Sequence, residues 1–542
     1  MDMSRGELKF VLYCFILIGG FVSIPYLWGY LSEPEDMAFS GMILGVNIIF
    51  GSYDWINQAR EGSILLTTNR THENVPPLFL NTLFLVMGLF ARLTGLSTEA
   101  TYRIFYIIFS LLFFLVLYRF IAYFLEDVRK RRVAFIIALT SSGFGFLFWA
   151  AFKALNHTPM FFSENMPLGS RIFPIDLWLT DVFPFLILYS YYIHHVAGLT
   201  VMLLIFMYFH RGWEAENIRD VVLYAGGLTF LLGTFHLYDV VIVYAVLAVY
   251  AALSLGKWDP KRVKLFAGYV AVSIPPMLFN FYAFALHPVF REFTNYNIQL
   301  SPNPYSFVIG LGIPFLLTVY YLSKGNLDKK KMFLAAWIIA ALALAYAPIT
   351  VQRKLQLGLS IPFAVIATYA IFEHILPRMG KSRHNLMLTV LILGMIPTNV
   401  LWIAKETYKV GLHGYPGTEY PYYTHNLDLE AIQWLGENAG IGDVILSGGM
   451  TGGRIAGMVS KKVYWGGNDM TLRYQEKKKL TEEFFSTMKE SERPMFLRSN
   501  GITLIYYGEE ERSLGDFNPE GRDYLRKVFD NGRVKIFRVK AK

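Results

Sequence analysis

Apolar runs long enough to cross a bilayer recur along almost the whole chain, at 10–31, 103–124, 133–153, 185–209, 221–235, 238–255, 264–286, 306–322, 332–349, 357–376 and 386–404. A helix rises 1.5 Å per residue, so roughly 30 Å of hydrocarbon takes about 20 apolar residues. Composition agrees: 54% of the 542 residues are hydrophobic and only 17% are charged, against about 25% charged in soluble chains. A mean hydropathy of +0.38 is more than a soluble core of this size needs. The 45 Phe and 34 Tyr suit a protein with many lipid-facing and interfacial surfaces. The expected fold class is a polytopic α-helical membrane protein of about 11 transmembrane helices with a small C-terminal extracytoplasmic α/β domain.

Charge sets the expected orientation. The links 126–132, 210–220, 256–263, 323–331 and 377–385 all contain Lys or Arg and fall at every second connection. The positive-inside rule places them and the N-terminus in the cytoplasm, in a multi-pass plasma-membrane protein whose C-terminal domain lies outside. The net charge of +9 is thereby explained by topology, and nucleic acid is excluded as a partner. Run 10–31 is too long for a signal-peptide core and lacks a small-residue cleavage site, so it is retained as an anchor. The lone Cys14 excludes an intrachain disulfide and a Cys-based metal cluster.

This alternation requires that the apolar stretch 76–93 does not cross. It starts at Pro76-Pro77 and contains Arg92 ahead of Gly95, which suits an interfacial helix in a long first external loop, 32–102. The competing reading, a true span, would invert every later link. Two glycosylation sequons, Asn69-Arg-Thr71 and Asn156-His-Thr158, fall in the two largest external loops. Two domains are expected, 1–405 in the membrane and 406–542 outside. Beyond a Gly/Pro/Tyr-rich linker, 411–424, helices are predicted at 427–438 and 480–490 and strands at 443–447, 502–507 and 534–539. The loop Gly448-Gly-Met-Thr-Gly-Gly453 is able to hold an anion, but it matches no complete nucleotide fingerprint and reads better as tight turns.

The polar chemistry gathers in the expected external segments. Glu33-Pro34-Glu35-Asp36 follows the first span at once. Carboxylates so placed can take a proton from an acceptor hydroxyl or bind a divalent metal, the competing reading being solvated acids at a helix start. Arg353-Lys354 lies in a short external turn where positive charge is depleted, so it is read as a clamp on a phosphate, against simple snorkelling. His194, His195, His236 and Asp239, with Asp181 and Asp176 upstream, border the same side and are read as lining a substrate cavity. For each of them taken alone, interhelical hydrogen bonding competes. No His-Glu-x-x-His or comparable spacing marks a metal site, so no cofactor is assigned and a divalent metal stays open.

With these residues in place, the chain resembles the polytopic C-type glycosyltransferase superfamily, which includes protein mannosyltransferases, aminoarabinose-lipid A transferases and oligosaccharyltransferases. Glu35-Asp36 matches the acidic pair just past the first span, and Pro76-Pro-Leu-Phe79 followed by Gly95 and Arg103 matches the membrane-lying helix of the first loop. The Trp-Trp-Asp signature of oligosaccharyltransferases is absent. The resemblance covers residues 10–210 best. It implies a glycosyltransferase that uses a polyprenyl-phosphate-linked sugar, with an acceptor glycan, lipid or protein and with inversion. Asp36, with Glu35, would then be the catalytic base or a metal-linked acid, Arg353 and Lys354 would contact the donor phosphate, and Glu33 would line the cavity. The alternatives are a lipid or polysaccharide transporter or flippase, or a non-catalytic member of the same fold.

Overall fold

A computed structural model describes residues 3–148, 176, 179–254, 259–296, 298–325, 327–412, 422–468 and 470–540. Most of the predicted loop 154–184, the sequon at Asn156 and most of the linker 411–424 lie outside the described residues. The chain divides into two compact units. Unit 1 comprises Met1–Pro25, Tyr106–Leu278 and Ile298–Tyr408, and unit 2 comprises Tyr26–Phe105, Phe279–Asn297 and Lys409–Lys542.

The chain is a polytopic α-helical membrane protein. Among the described residues, seven helices are long and apolar enough to cross a bilayer: Arg5–Leu31, Thr98–Phe124, Val128–Phe148, Ile193–Glu214, Leu237–Ser254, Pro304–Leu322 and Gln352–Arg378. Two bent pairs, Pro260–Ser273 with Pro275–Leu286 and Lys381–Gly394 with Pro397–Gly411, raise the number to nine. The two remaining predicted runs are helical but shorter. Lys329–Ala345 has 17 residues, and Arg219–Gly226 continues through Gly227–Gly233 with eight and seven. Both bends fall where proline removes an amide donor and disfavours a helical residue before it, at Pro275 and Pro397. In Gln352–Arg378 94% of the apolar stretch is buried in protein, against 28% in Arg5–Leu31, so the former is central and the latter faces lipid.

Contacts within unit 1 sort the links into two ends. Glu7 accepts a 2.8 Å hydrogen bond from Arg131, Arg129 donates to Asn385 at 2.7 Å, and Lys330 donates to the Tyr123 carbonyl at 2.7 Å. Lys261 stands 3.6 Å from Glu216, and Lys329 pairs with Glu214. The N-terminus and all five basic links thus meet at one end. Asp181, His195, His236 and Arg353 meet at the other, since helix Ile193–Glu214 carries His195 in its first turn and Glu214 in its last. Because Glu7 touches Arg131, the chain crosses an even number of times between them. Helices Arg5–Leu31 and Thr98–Phe124 supply two crossings, so Thr82–Thr94 is not a third. Its 13 residues span only about 20 Å at the helical rise, between an Asn81 cap whose side chain accepts from the Phe84 amide and a left-handed Gly95.

Unit 2 is built on a four-stranded sheet and a two-stranded ribbon. The ribbon pairs β1 (Met37–Phe39) with β2 (Tyr423–His425) antiparallel, Met37 opposite His425. The larger sheet has the order β3 (Ile445–Leu446), β4 (Leu504–Tyr507), β6 (Lys535–Val539), β5 (Leu525–Asp530), with only β3 and β4 parallel. Leu446, Ile505, Phe537, Phe484 and Phe485 fill one side of it and Ile445, Leu504, Ile536, Ile432 and Ile455 the other. Helix Gly449–Val459 lies against Val46–Glu61 so closely that a Cβ on Gly457 would come 2.5 Å from the Phe50 carbonyl oxygen. The predicted elements at 427–438, 443–447, 502–507 and 534–539 all form, and the charged helix falls earlier, at Tyr474–Phe485. Asn69 of the first sequon is engaged by the buried Asp54, to which its side chain donates at 2.7 Å, and Thr71 is fully buried, so this tripeptide serves the fold.

Candidate functional site

In unit 1 the imidazoles sit at the starts of two facing helices. Tyr191 takes a left-handed turn (φ 62°), and helix Ile193–Glu214 starts just beyond it, which places His194 and His195 in the first turn. His236 precedes helix Leu237–Ser254, whose first turn carries Asp239. The ring centroids lie 4.7 Å apart for His194 and His195, and 5.2 Å from each of these to His236. Asp239 is fully buried, its Oδ2 2.8 Å from Nδ1 of His236. Gly198 makes this approach feasible, because a Cβ there would meet Asp239 Oδ2 at 2.1 Å.

Asp181 links the histidines to the basic pair. One oxygen is 3.7 Å from His195 Nδ1 and the other 3.7 Å from Arg353 Nε. Burial pushes its carboxyl up from the usual range, against the pull of Arg353 and Lys354. Arg353 also donates to the Gln299 side chain at 2.9 Å, and its own amide donates to the Gln299 carbonyl at 3.0 Å. The short helical turn Gln352–Gln356 is fixed from both ends. Gln352 accepts from the Ser301 amide and donates to the Ala347 carbonyl, and Gln356 donates to the Ser301 hydroxyl at 2.6 Å. Lys354 places its ammonium 4.6 Å above the Tyr238 ring. The structure therefore brings together His194, His195, His236, Asp239, Asp181, Arg353 and Lys354. Asp176 is held separately, accepting from the Gly143 amide at 2.5 Å.

The early acids belong to unit 2. Glu33 caps the ribbon, accepting from the Phe39 amide at 2.8 Å, and Glu35 is exposed. Asp36 is 62% exposed and stands 3.2 Å from Nε2 of His425. Its backbone is held too, since the Asn426 amide donates to the Asp36 carbonyl at 2.9 Å. Nδ1 of His425 accepts from the Leu427 amide at 3.1 Å, so in the neutral ring the proton sits on Nε2 and faces the Asp36 carboxylate. An exposed carboxylate with one oriented donor is free to accept a proton from an incoming hydroxyl. Sequence reasoning did not single out His425, which lies far along the chain and is joined to Asp36 only by strand pairing.

Beside the ribbon, unit 2 has a cavity of about 410 Å³ lined by Met37, His425, Arg454, Tyr506, Glu510 and Arg533 among others. The Gly448–Gly453 loop at its margin holds no external anion in this arrangement. Glu510 accepts from the amides of Met450 and Thr451 at 3.1 and 2.8 Å, and Glu511 from those of Gly448 and Gly508 at 2.6 and 2.8 Å. The helix start is filled by the chain's own carboxylates.

No family model matches the sequence, and no curated protein matches it either. Among solved structures, the chain is similar to ArnT from Cupriavidus metallidurans, determined bound to undecaprenyl phosphate, with 10% identity, coverage of 97% of this chain and 98% of that one, and a TM-score of 0.49. It is also similar to the oligosaccharyltransferase of Archaeoglobus fulgidus tethered to an acceptor peptide, with 12% identity, coverage of 92% and 70%, and a TM-score of 0.48. A further structure of that archaeal enzyme, AglB, with an inhibitory peptide and a dolichol-phosphate, gives 12% identity, coverage of 93% and 70%, and a TM-score of 0.47.

Proposed function

We propose that this chain is a membrane glycosyltransferase that moves a sugar from a polyprenyl-phosphate-linked donor to an acceptor hydroxyl on the extracytoplasmic side. The observation that carries the reading is the fixed basic pair: Arg353 and Lys354 sit on a hydrogen-bonded turn where lipid-embedded helices end, at the end of unit 1 opposite the basic links. A phosphate at headgroup depth meets there a guanidinium fork and an ammonium point charge. In the reaction, Asp36 accepts the hydroxyl proton while the acceptor oxygen attacks the anomeric carbon. The bond from that carbon to the phosphate oxygen breaks, its electron pair leaves with the lipid phosphate, and the anomeric centre inverts. Arg353 and Lys354 stabilise the charge developing on the leaving phosphate, the place where fixed electrostatics contribute most. The histidine end of unit 1 then faces outward and the five basic links face the cytoplasm.

The test is a proteoliposome assay with radiolabelled polyprenyl-phosphate sugar and a panel of hydroxyl acceptors. Release of lipid phosphate with stoichiometric label in an acceptor supports the reading. Movement of intact donor across the bilayer without bond cleavage replaces it with a transporter.

A further inference from the structure

We propose that His194, His195, His236 and Asp239 form a binding site for one divalent transition metal ion of the zinc type. The proposal goes beyond sugar transfer and does not depend on it. It also lies apart from the acidic pair Glu35-Asp36, to which the resemblance would attach any metal.

Three observations carry it. Ligand atoms of the three imidazoles all lie within 4.8 Å of one another. Metal–nitrogen bonds of 2.0–2.1 Å in a tetrahedral site separate donors by roughly 3.3 Å, so small side-chain rotations close the gap. Next, Nδ1 of His194 and of His195 and Oδ1 of Asp239 have no hydrogen-bond partner among the described residues. Asp239 Oδ2 and His236 Nδ1 pair with each other at 2.8 Å. A buried polar group left unmade costs about 1–3 kcal/mol, more for a charge. Interhelical hydrogen bonding, the ordinary explanation for polar groups at helix ends, therefore does not account for His194, His195 or the second oxygen of Asp239. Finally, the backbone is cut to fit: Gly198, one turn beyond His194, leaves the space that the Asp239 carboxylate occupies.

Two carboxylates stand beside the rings. Asp239 faces the His236 ring directly, and Asp181 stands 3.7 Å from His195, in position to orient its imidazole. Of the nearby positive groups, Arg353 lies on the far side of Asp181 and the Lys354 ammonium is drawn over Tyr238. Three imidazoles and one carboxylate make a borderline donor set that suits zinc, copper, iron or nickel, where magnesium or calcium would require oxygen ligands.

The test uses the full chain in detergent, with any affinity tag removed, stripped by chelator and titrated with Zn²⁺. About one ion per chain by elemental mass spectrometry, with a rise in melting temperature, is the expected result. His236→Gln and Asp239→Asn should each weaken Zn²⁺ binding at least tenfold, while Asp36→Asn leaves it unchanged. On the unmodified chain, Cu²⁺ added in place of zinc should give an electron paramagnetic resonance spectrum with hyperfine coupling to three imidazole nitrogens, a readout that does not need the variants to fold. Absence of stoichiometric metal in the folded chain, undiminished binding in His236→Gln, loss of the ion in Asp36→Asn, or coupling to fewer than two imidazoles would overturn the proposal. Absence of sugar transfer by the parent chain, with metal binding intact, would instead count against the transferase reading alone.

Discussion

Two buried aspartates, one in each unit, are treated in opposite ways. Asp54 in unit 2 accepts four hydrogen bonds, from the Asn69 amide and side chain, Gln58 and Ser460, at 2.7–3.1 Å. Asp239 in unit 1 is as deeply buried, yet Oδ2 meets Nδ1 of His236 at 2.8 Å while Oδ1 has no hydrogen-bond partner among the described residues. The first is what a carboxylate looks like when it holds a fold together: both oxygens accept from donors, and the network ties helix Val46–Glu61 to the following loop and to Ser460. The second has one oxygen unused by the described residues, as a group waiting for a ligand does. Unit 2 repeats the first pattern with Glu511 and with Glu73, while Asp36 is exposed and lightly bonded. Satisfied acids should therefore set stability, and unsatisfied or exposed groups should set activity.

The sharpest way to break that division is at Asp36. Asp36→Asn keeps the ribbon and the exposure but cannot accept the proton, and is expected to lower the turnover of labelled donor by about 10³-fold, within the range of general-base losses. The melting temperature should stay within a degree or two of the parent. A large loss of stability would move Asp36 to the structural class.

Asp54→Ala is the converse. It strands the Asn69, Gln58 and Ser460 donors in a buried site and should destabilise unit 2 by about 3 kcal/mol. Thermal unfolding of the full chain, followed by proteolysis within 26–105, measures it. Unchanged stability would remove the contrast with Asp239.

Arg353→Gln comes next, with about a 10²-fold fall in transfer. Arg353→Lys should recover part of the rate, because charge is kept and the guanidinium fork is lost. If both variants transfer at the parental rate, the phosphate is not held at this turn.

What could be read from the sequence follows from range. The spanning helices were legible because a run of apolar residues is a local signal, and the basic links were legible because sidedness is written in Lys and Arg at their ends. The bends at Pro275 and Pro397 were not separated from their spans, since the hydropathy on either side continues without interruption. The histidines, Asp181, Asp239, Arg353 and Lys354 stood out one by one as polar groups at span ends. Their mutual distances did not, because packing of helices far apart in sequence decides them. His425 and the filling of the Gly448 loop by Glu510 and Glu511 were invisible for the same reason: each partner is supplied by a strand pairing or helix docking that no local pattern announces. Asn69 looked like a glycan acceptor until its donors were seen to be committed to Asp54.

The smallest expected effect is a pH dependence in unit 2. Burial would raise the Glu73 carboxyl, but the Lys477 ammonium, the Thr71 hydroxyl and Arg473 overcome this and hold it down at about 2. Arg473 donates at 2.9 Å, and Lys477, itself pushed down to about 8 by burial, bonds both Glu73 and Thr71. A carboxyl held lower in the folded than in the unfolded chain adds stability that is complete above its unfolded value, about 4.5, and is lost as the pH falls toward 2. With the side chain 22% exposed, the share lost should be about 1–2 kcal/mol. Melting temperature measured between pH 6 and pH 3 should therefore fall more steeply for the parent than for Glu73→Gln, whose uncharged amide has nothing to titrate. The variant should already be the less stable of the two at pH 6, because Lys477 is then buried beside a neutral group. Parallel curves would mean that Glu73 is no better satisfied than Asp239, and the distinction drawn between the two units would fail at that point.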